Sequence, residues 1–416
     1  MNIQNIKITN FKSIDYKEYV FNKQFNVLIG DNAQGKTTIL EALSFSLGTF
    51  FLGINGTKTR QLQENEKRLK IISPDNIETV LPFRIDIEHT LDGDSYSWFR
   101  GTDKKKGNST TYVNAKKLID KAKELDSKLS DENAIFKLPL IAYYGTDRTQ
   151  DKSNTKNDKS RIAGYYGALE QEGIKKQFEN WFRDYEDSVL KFGKDKSLYN
   201  AFTDAITSMV PDYEKIHYSW EAKDILGKLK NDTWIPFSML SSGYQSVVRL
   251  TADIAYRAIK LNPHLKEKAV IEAEGVVLID ELDMHLHPKW QKTIIEDLKK
   301  TFPKIQFIVT THSLHVIQSL RADEVINLNS QTVEDPFTKS IEDIAQSEMN
   351  IEQRRSNEFL KMQDLAKKYF TLIRNEKNST DNLNVKRLKQ ELDIIEEEFS
   401  KDPTFVALMQ LERSLA

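Results

Sequence analysis

Residues 30–37 read Gly30-Asp31-Asn32-Ala33-Gln34-Gly35-Lys36-Thr37 and fit G-x-x-x-x-G-K-[ST] without a gap. The glycines allow a backbone curl whose N–H groups face phosphate oxygens. The lysine brings a positive charge to β/γ phosphates, and the threonine hydroxyl suits Mg2+. The flanks agree. Phe25–Ile29 is a short apolar run that suits a buried strand, and Thr37–Leu47 carries Ile39, Leu40, Leu43 and Leu47 on one side of a helix. Phosphates bound here would rest at a helix N-terminus, where unpaired N–H groups and the helix dipole both favour anions. The expected ligand is ATP, and the expected contacts are Asn32, Ala33, Gln34, Gly35, Lys36, Thr37 and Thr38, with Thr37 also on the metal.

Far along the chain, Gly275-Val276-Val277-Leu278-Ile279 reads as a second apolar strand and ends in Asp280-Glu281. Asp280 is expected to hold Mg2+ through water, and Glu281 suits a base that polarises the attacking water. An acidic pair after a strand is common, and its weight here comes from the phosphate loop. Two further stretches keep the same order. Leu240-Ser241-Ser242-Gly243-Tyr244-Gln245 opens a helical pattern, and Phe307-Ile308-Val309-Thr310-Thr311-His312-Ser313 ends a strand on a histidine.

With 416 residues the chain can form one large domain with insertions, or two domains. Apolar residues at 39% supply a core and charged residues at 29% a solvated surface. No apolar run is long enough to span a bilayer, and MNIQNIKITNF reads as a strand, not a signal peptide. A cytoplasmic protein with no membrane contact is expected. The absence of cysteine excludes disulfides and thiolate metal sites. Basic residues number 60 against 62 acidic, so overall charge does not advertise a nucleic-acid binder. A local basic face stays open in Lys104–Lys106, Lys116, Lys117, Lys121 and Lys123. That cluster reads either as a phosphate-binding face or as a solvated helix balanced by nearby acids.

Ile3–Thr9 and Tyr16–Phe21 alternate as strands. Phe83–Thr90 and Tyr96–Arg100 read as an antiparallel pair around Asp92-Gly93. Gly53–Asn76 is polar, a helix is expected near Lys116–Leu129 and a buried strand at Leu138–Tyr144. Asp151–Ser160 is polar and expected to be mobile. Helices are expected around Gln171–Phe192 and Leu198–Met209, and a β-like segment near Ile216–Ala222. Alternating helix and strand afterwards imply a mainly parallel, helix-covered sheet. In the tail, Phe359, Met362, Leu365 or Ala366, Tyr369 and Ile373 mark one helix face, and Leu388, Leu392, Ile395 and Phe399 another. Such faces either pack on the rest of the protein or dock a partner.

Read without a gap, Leu240–Tyr244 resembles the L-S-G-G-Q signature of ABC-type ATPases, with Ser242 replacing the first glycine and Tyr244 the glutamine. The resemblance implies that Ser241, Ser242 and Gly243 bind the γ-phosphate held by an opposite subunit's P-loop. Heads would then pair around ATP as a homodimer or higher oligomer. A plain serine N-cap is the alternative. The stretch ending at His312 resembles the switch histidine that contacts the γ-phosphate, and Glu281 and His312 are the expected catalytic residues. Tyr144 takes the place of the lid glutamine, with Gln150 a poor substitute. Arg148 and Arg161 read as phosphate or nucleic-acid contacts or as surface arginines. His285 and His287 fall in the loop that lies between subunits, where His287 replaces a frequent aspartate; no further ligands accompany them as a metal site would require.

Together IKITNFKSI, the P-loop, LSSGYQS, VVLIDELDMHLHPKWQ and FIVTTHS resemble bacterial SMC-like or RecF-like ATPases without long coiled coils. The similarity is nearest to the group labelled predicted ATP-binding proteins involved in virulence, which includes ATPase subunits of Septu-type antiphage systems, stand-alone or beside a retron. It implies an α/β ABC-type ATPase head: a mainly parallel P-loop sheet, an N-terminal antiparallel β part, a helical insertion and a helical C-terminal tail. The head is expected over 1–335, with a P-loop lobe to about 150, an insertion to about 215 and a signature lobe beyond, followed by a tail over 336–416. ATP and Mg2+ are the implied cofactors, and a separate HNH-type nuclease the implied partner. The alternative is a RecF-like repair ATPase that binds DNA ends or gaps. Lys36→Ala is expected to abolish most ATP binding while the fold survives, because the lysine is expected to face solvent when no ligand is bound. Calorimetric titration with ATP, beside a circular dichroism melt, checks it.

Overall fold

The computed structural model describes residues 1–349, except 74, 106, 108, 132–133, 150–157, 171–176, 211 and 330–333, and beyond them 361, 364–371 and 387–392. The chain divides into two compact units, Met1–Met349 and Asn350–Ala416.

In the first unit, five parallel strands lie in the order Val325–Asn327, Phe25–Ile29, Ile305–Thr310, Gly275–Ile279, Leu140–Tyr144. The last four are buried at every position. That is why they read as unbroken apolar runs: helices or a second sheet cover both faces of a parallel sheet. Because all five run the same way, the P-loop, the acidic pair and His312 leave the sheet at one edge, the edge where open α/β sheets bind ligands.

A second sheet is antiparallel, in the order Ile14–Val20, Asn2–Phe11, Phe83–Leu91, Asp94–Thr102, Thr111–Val113. Leu91 pairs with Asp94 across Asp92 (φ 52°) and Gly93 (φ 84°), both left-handed as a two-residue hairpin turn requires. The helix Lys36–Leu47 packs against strands of both sheets, and every residue in it except Thr37 is buried. Gln306 ties the sheets further. Fully buried on the parallel strand, its side chain accepts from Ile3 N at 2.7 Å and donates to Ile3 O at 2.9 Å and Asn22 O at 2.8 Å.

The long helix Ser242–Leu261 follows a three-stranded antiparallel sheet, Tyr213–Ser219, Asp224–Leu229 and Trp234–Pro236. Helices Gln177–Phe192 and Ser197–Met209 pack on it. Only the first of those strands announces itself in the sequence, because the other two are short and half-exposed. The stretch read as polar surface holds the start of a hairpin, Leu69–Ser73 with Asn76–Thr79, whose Leu69, Ile71, Ile72 and Ile77 are exposed.

The lysine cluster sits mainly on the helix Lys116–Lys128, anchored by buried Leu118, Ala122 and Leu125. Lys121 reaches Asp92 at 3.7 Å and Glu124 at 3.3 Å, and Lys117 stands 5.1 Å from the Tyr96 ring. Lys104, Lys105, Lys116 and Lys123 are exposed, and Lys106 lies outside the described residues. So do residues 150–157 of the polar loop. Helix Ile341–Ser347 packs on Leu314–Gln318 and belongs to the first unit. In the second unit residues 364–371 and 387–392 are helical, with Ala366, Phe370 and Leu392 buried. Phe359, Met362, Ile373, Ile395 and Phe399 lie outside the described residues. Gln306→Leu keeps side-chain volume and orphans the three groups its amide pairs. It is expected to lower the unfolding free energy by roughly 2–4 kcal/mol, since each stranded buried group costs about 1–3 kcal/mol. Urea unfolding checks it.

Candidate ATP-binding and hydrolysis site

The loop after Ile29 curls through left-handed Ala33 (φ 68°) and Gly35 (φ 90°), and a side chain at Gly35 would be strained there. Asp31, Asn32, Ala33, Gln34 and Thr37 are exposed, while Lys36 and Thr38 are buried. Lys36 thus departs from the expectation of a solvent-facing lysine: it is 8% exposed and donates from Nζ to Gly30 O at 2.7 Å and Asp31 O at 3.0 Å. Its ammonium caps two carbonyls of the curl, the second of which also accepts from Gln34 N at 3.3 Å. Burial lowers its pKa from the ordinary lysine value, and the carboxylates of Asp280, Asp31 and Glu281 oppose that shift.

Thr37 Oγ1 donates to Asp280 Oδ2 at 2.8 Å. Thr310 Oγ1, at the end of the strand between them, donates to Asp280 Oδ1 at 2.6 Å. The same Thr310 oxygen accepts from Glu281 N at 2.7 Å. Glu281 itself has φ 48°, a left-handed conformation that costs a non-glycine residue about 1–3 kcal/mol. A hydroxyl and a carboxylate meeting at one point are hard oxygen donors and fit Mg2+. Among the described residues no group of three or more His, Asp or Glu side chains could hold a metal. A Mg2+ at Thr37 and Asp280 would therefore complete its shell with water and phosphate oxygens.

His312 is exposed, and its segment is held by Asp283, whose Oδ1 accepts from Thr311 Oγ1 at 2.6 Å and His312 N at 3.3 Å. Arg148 is neither a surface nor a phosphate-facing residue. It is 3% exposed and donates from Nη1 to Asp280 O at 2.6 Å and from Nη2 to Glu281 O at 2.7 Å. Arg161 likewise donates inward, to Leu261 O at 2.8 Å and Phe136 O at 2.9 Å. Tyr144, in the lid position, is buried and donates to Asp253 Oδ2 at 2.7 Å, which also takes Arg257 Nε at 2.6 Å. Gln150 lies outside the described residues. Arg148, Thr310 and Asp283 escape a sequence reading because each acts on a residue distant in the chain. The only local hint is that Thr310 and Asp283 flank recognisable motifs.

Ser241 occupies the N-cap position of helix Ser242–Leu261, yet its side chain makes no capping bond. Both Ser241 and Ser242 are exposed. Gln245 Nε2 turns back instead to Ser238 O at 3.0 Å and Leu240 O at 2.9 Å. Gly243 is buried against the next loop: a Cβ there would stand 2.5 Å from the His285 carbonyl oxygen. His287 Nδ1 accepts from Lys289 N at 3.2 Å and so caps the short helix Pro288–Gln291, as an aspartate would. A cleft of about 450 Å3 opens beside them, lined by Ser241, Ser242, Tyr244, His287, Lys289 and Trp290 among others.

A strand, a phosphate loop and a buried helix, with an acidic strand end placed against the loop's threonine, define a P-loop ATPase of the ABC type. The chain belongs to the family described as "AAA domain, putative AbiEii toxin, Type IV TA system", whose model matches residues 25–318. It is similar to the "Retron Vc95 probable ATPase" of Vibrio cholerae serotype O1 biovar El Tor, 25% identical over 79% of this chain and 74% of that protein. It is 27% identical to "Septu protein PtuA" of Bacillus thuringiensis over 85% of each chain. Among solved structures, the SMC head domain from Thermotoga maritima aligns with a TM-score of 0.43 and 14% identity, over 77% of this chain and 92% of that one.

The close approach at Gly243 gives a direct test. Gly243→Ala must push the His285 carbonyl away and is expected to cost roughly 1–3 kcal/mol of stability, as overpacking does. Denaturant unfolding checks it.

Proposed function

We propose that this chain is the ATP-hydrolysing subunit of a cytoplasmic antiphage complex, in which two heads close on ATP and the cycle controls a separate HNH-type nuclease. One observation carries the ATPase part: Thr37, Asp280 and Thr310 are linked hydroxyl to carboxylate to hydroxyl at the mouth of the P-loop, with Glu281 next in the chain. The N–H groups from Asn32 to Thr38 cradle the phosphates, and Lys36 moves from its loop carbonyls to the β/γ oxygens. Thr37 and Asp280 would hold Mg2+, which would neutralise charge on those oxygens. Glu281 orients and polarises the attacking water, and His312 meets the γ-phosphate from the neighbouring strand end.

Strand order supports a composite site. The signature helix packs on Leu140–Tyr144, three strands from the P-loop strand, or roughly 14 Å at about 4.8 Å per strand. Ser241, Ser242 and Gly243 thus serve the nucleotide of the other head, and the unused Ser241 hydroxyl suits that task. Similarity to a retron ATPase and to a Septu protein over most of the chain supports the defence setting. The division into a head over 1–335 and a nuclease-docking tail over 336–416 belongs to the same proposal. Nucleic acid remains a further partner in it, through the exposed Lys104, Lys105, Lys116 and Lys123. Among the described residues no helix is long and apolar enough to cross a membrane.

Glu281→Gln keeps the shape of the side chain and removes its basicity. ATP affinity is expected to stay within a few-fold, while hydrolysis falls about 100- to 10,000-fold, the usual range for a general base. ATP should then hold two heads together, read by light scattering with and without nucleotide. Hydrolysis at the parent rate would remove Glu281 from this role.

A further inference from the structure

Glu281 carries the chemistry proposed above on a backbone that needs outside support. Its left-handed φ of 48° persists only where the surroundings over-determine it. Two side chains from distant segments do so. On the amide side, Thr310 Oγ1 accepts from Glu281 N at 2.7 Å. On the carbonyl side, Arg148 Nη2 donates to Glu281 O at 2.7 Å, while Nη1 donates to Asp280 O at 2.6 Å. Successive carbonyls held by one rigid fork fix two peptide planes, and two peptide planes fix the direction in which the Glu281 side chain leaves the main chain.

A guanidinium beside acids is ordinarily a charge partner. Arg148 instead spends its donors on main-chain oxygens, those of Asp280 and Glu281 and, at 3.3 Å, Gly145. Its Nε has no partner among the described residues. Burial pulls its pKa down to about 10, opposed by the carboxylates of Asp280, Asp283 and Glu281, so it stays protonated at neutral pH. The turn that bears it, Thr146–Thr149, packs on the signature helix, which gives the fork a fixed base.

We propose that Arg148 is a positioning residue for ATP hydrolysis: gripping the Asp280 and Glu281 carbonyls, with Thr310 on the amide side, it keeps the Glu281 carboxylate aimed at the attacking water. The inference rests on Glu281 being the base. Lysine keeps the charge but lacks the planar fork, so Arg148→Lys separates geometry from electrostatics.

The full-length chain carrying Arg148→Lys is compared with the parent for ATP affinity, KM, kcat and amide hydrogen exchange without nucleotide. The expected result is affinity and KM within about threefold, kcat lower by about 10- to 100-fold, as a misplacement near 1 Å produces, and faster exchange at Glu281 to Asp283. In a Glu281→Gln background the same change should cost nothing more, because it acts through the carboxylate already removed. A kcat within twofold of the parent, a loss confined to KM and affinity, or an additive loss in that background would each overturn the proposal. Arg148→Gln, which keeps a planar amide donor without the charge or the fork, carries the same expectation and decides the matter if Arg148→Lys does not fold. Glu281→Gln hydrolysing at the parent rate would defeat the base assignment itself. Its slow hydrolysis beside a fully active Arg148→Lys would defeat only the positioning role.

Discussion

Both oxygens of the Asp280 carboxylate are held by hydroxyls from neighbouring elements: Oδ2 by Thr37, at the start of its helix, at 2.8 Å and Oδ1 by Thr310, at the end of a strand, at 2.6 Å. Three neighbouring parallel strands, or the helix that directly follows one, are pinned at their carboxyl ends by a single charged group that is 3% exposed. A buried carboxylate is tolerable only if hydrogen-bonded, so the hydroxyls answer a solvation demand as well as an alignment one. The arrangement also explains why Thr37 alone in its helix escapes burial: the helix must stay inside the protein while one hydroxyl looks out to the loop's mouth.

The signature helix is joined to the same edge by a second polar system. Asp253 takes both Tyr144 and Arg257, and Arg257 goes on to Gly164 O at 2.9 Å. Tyr144 is the last residue of the outer strand, and its carbonyl accepts from Asp280 N at 2.8 Å. A displacement of the signature helix would therefore be felt at Asp280 through two hydrogen bonds and one residue. The buried Tyr144 thus stiffens the link between that helix and the acidic strand end.

What was legible in the sequence was what is local. Gly30 to Thr37 are contiguous in the chain, the Gly275–Ile279 run announces its own burial, and the Asp92-Gly93 turn carries its own backbone preference. The family and the parallel sheet followed from such strings. Arg148 was ambiguous because an arginine's fate depends on what folds over it, here two carbonyls more than a hundred residues away. Lys36 reads from the motif as solvent-facing yet is buried, since nothing in the motif says that its ammonium turns to the carbonyls of Gly30 and Asp31. Gly243 hid a steric reason behind a motif reason: its neighbour is the His285 carbonyl of the same chain.

The pairing of the parallel sheet has a consequence for how the protein is made. Phe25–Ile29 is among the first strands to leave the ribosome, and its two sheet neighbours, Ile305–Thr310 and Val325–Asn327, are among the last of the first unit. Ile3 waits equally for Gln306, 303 residues away. At about 5–20 residues per second, an apolar strand with unpaired edges stays without its partners for roughly 15–55 s on each nascent chain. The antiparallel hairpin of Phe83–Leu91 and Asp94–Thr102 can form in that interval and offer Asn2–Phe11, already paired with Ile14–Val20, its second partner. The P-loop, by contrast, gains Asp280 only after a further 243 residues have been made, so a nascent chain carries the loop long before the acidic strand end that meets its threonine.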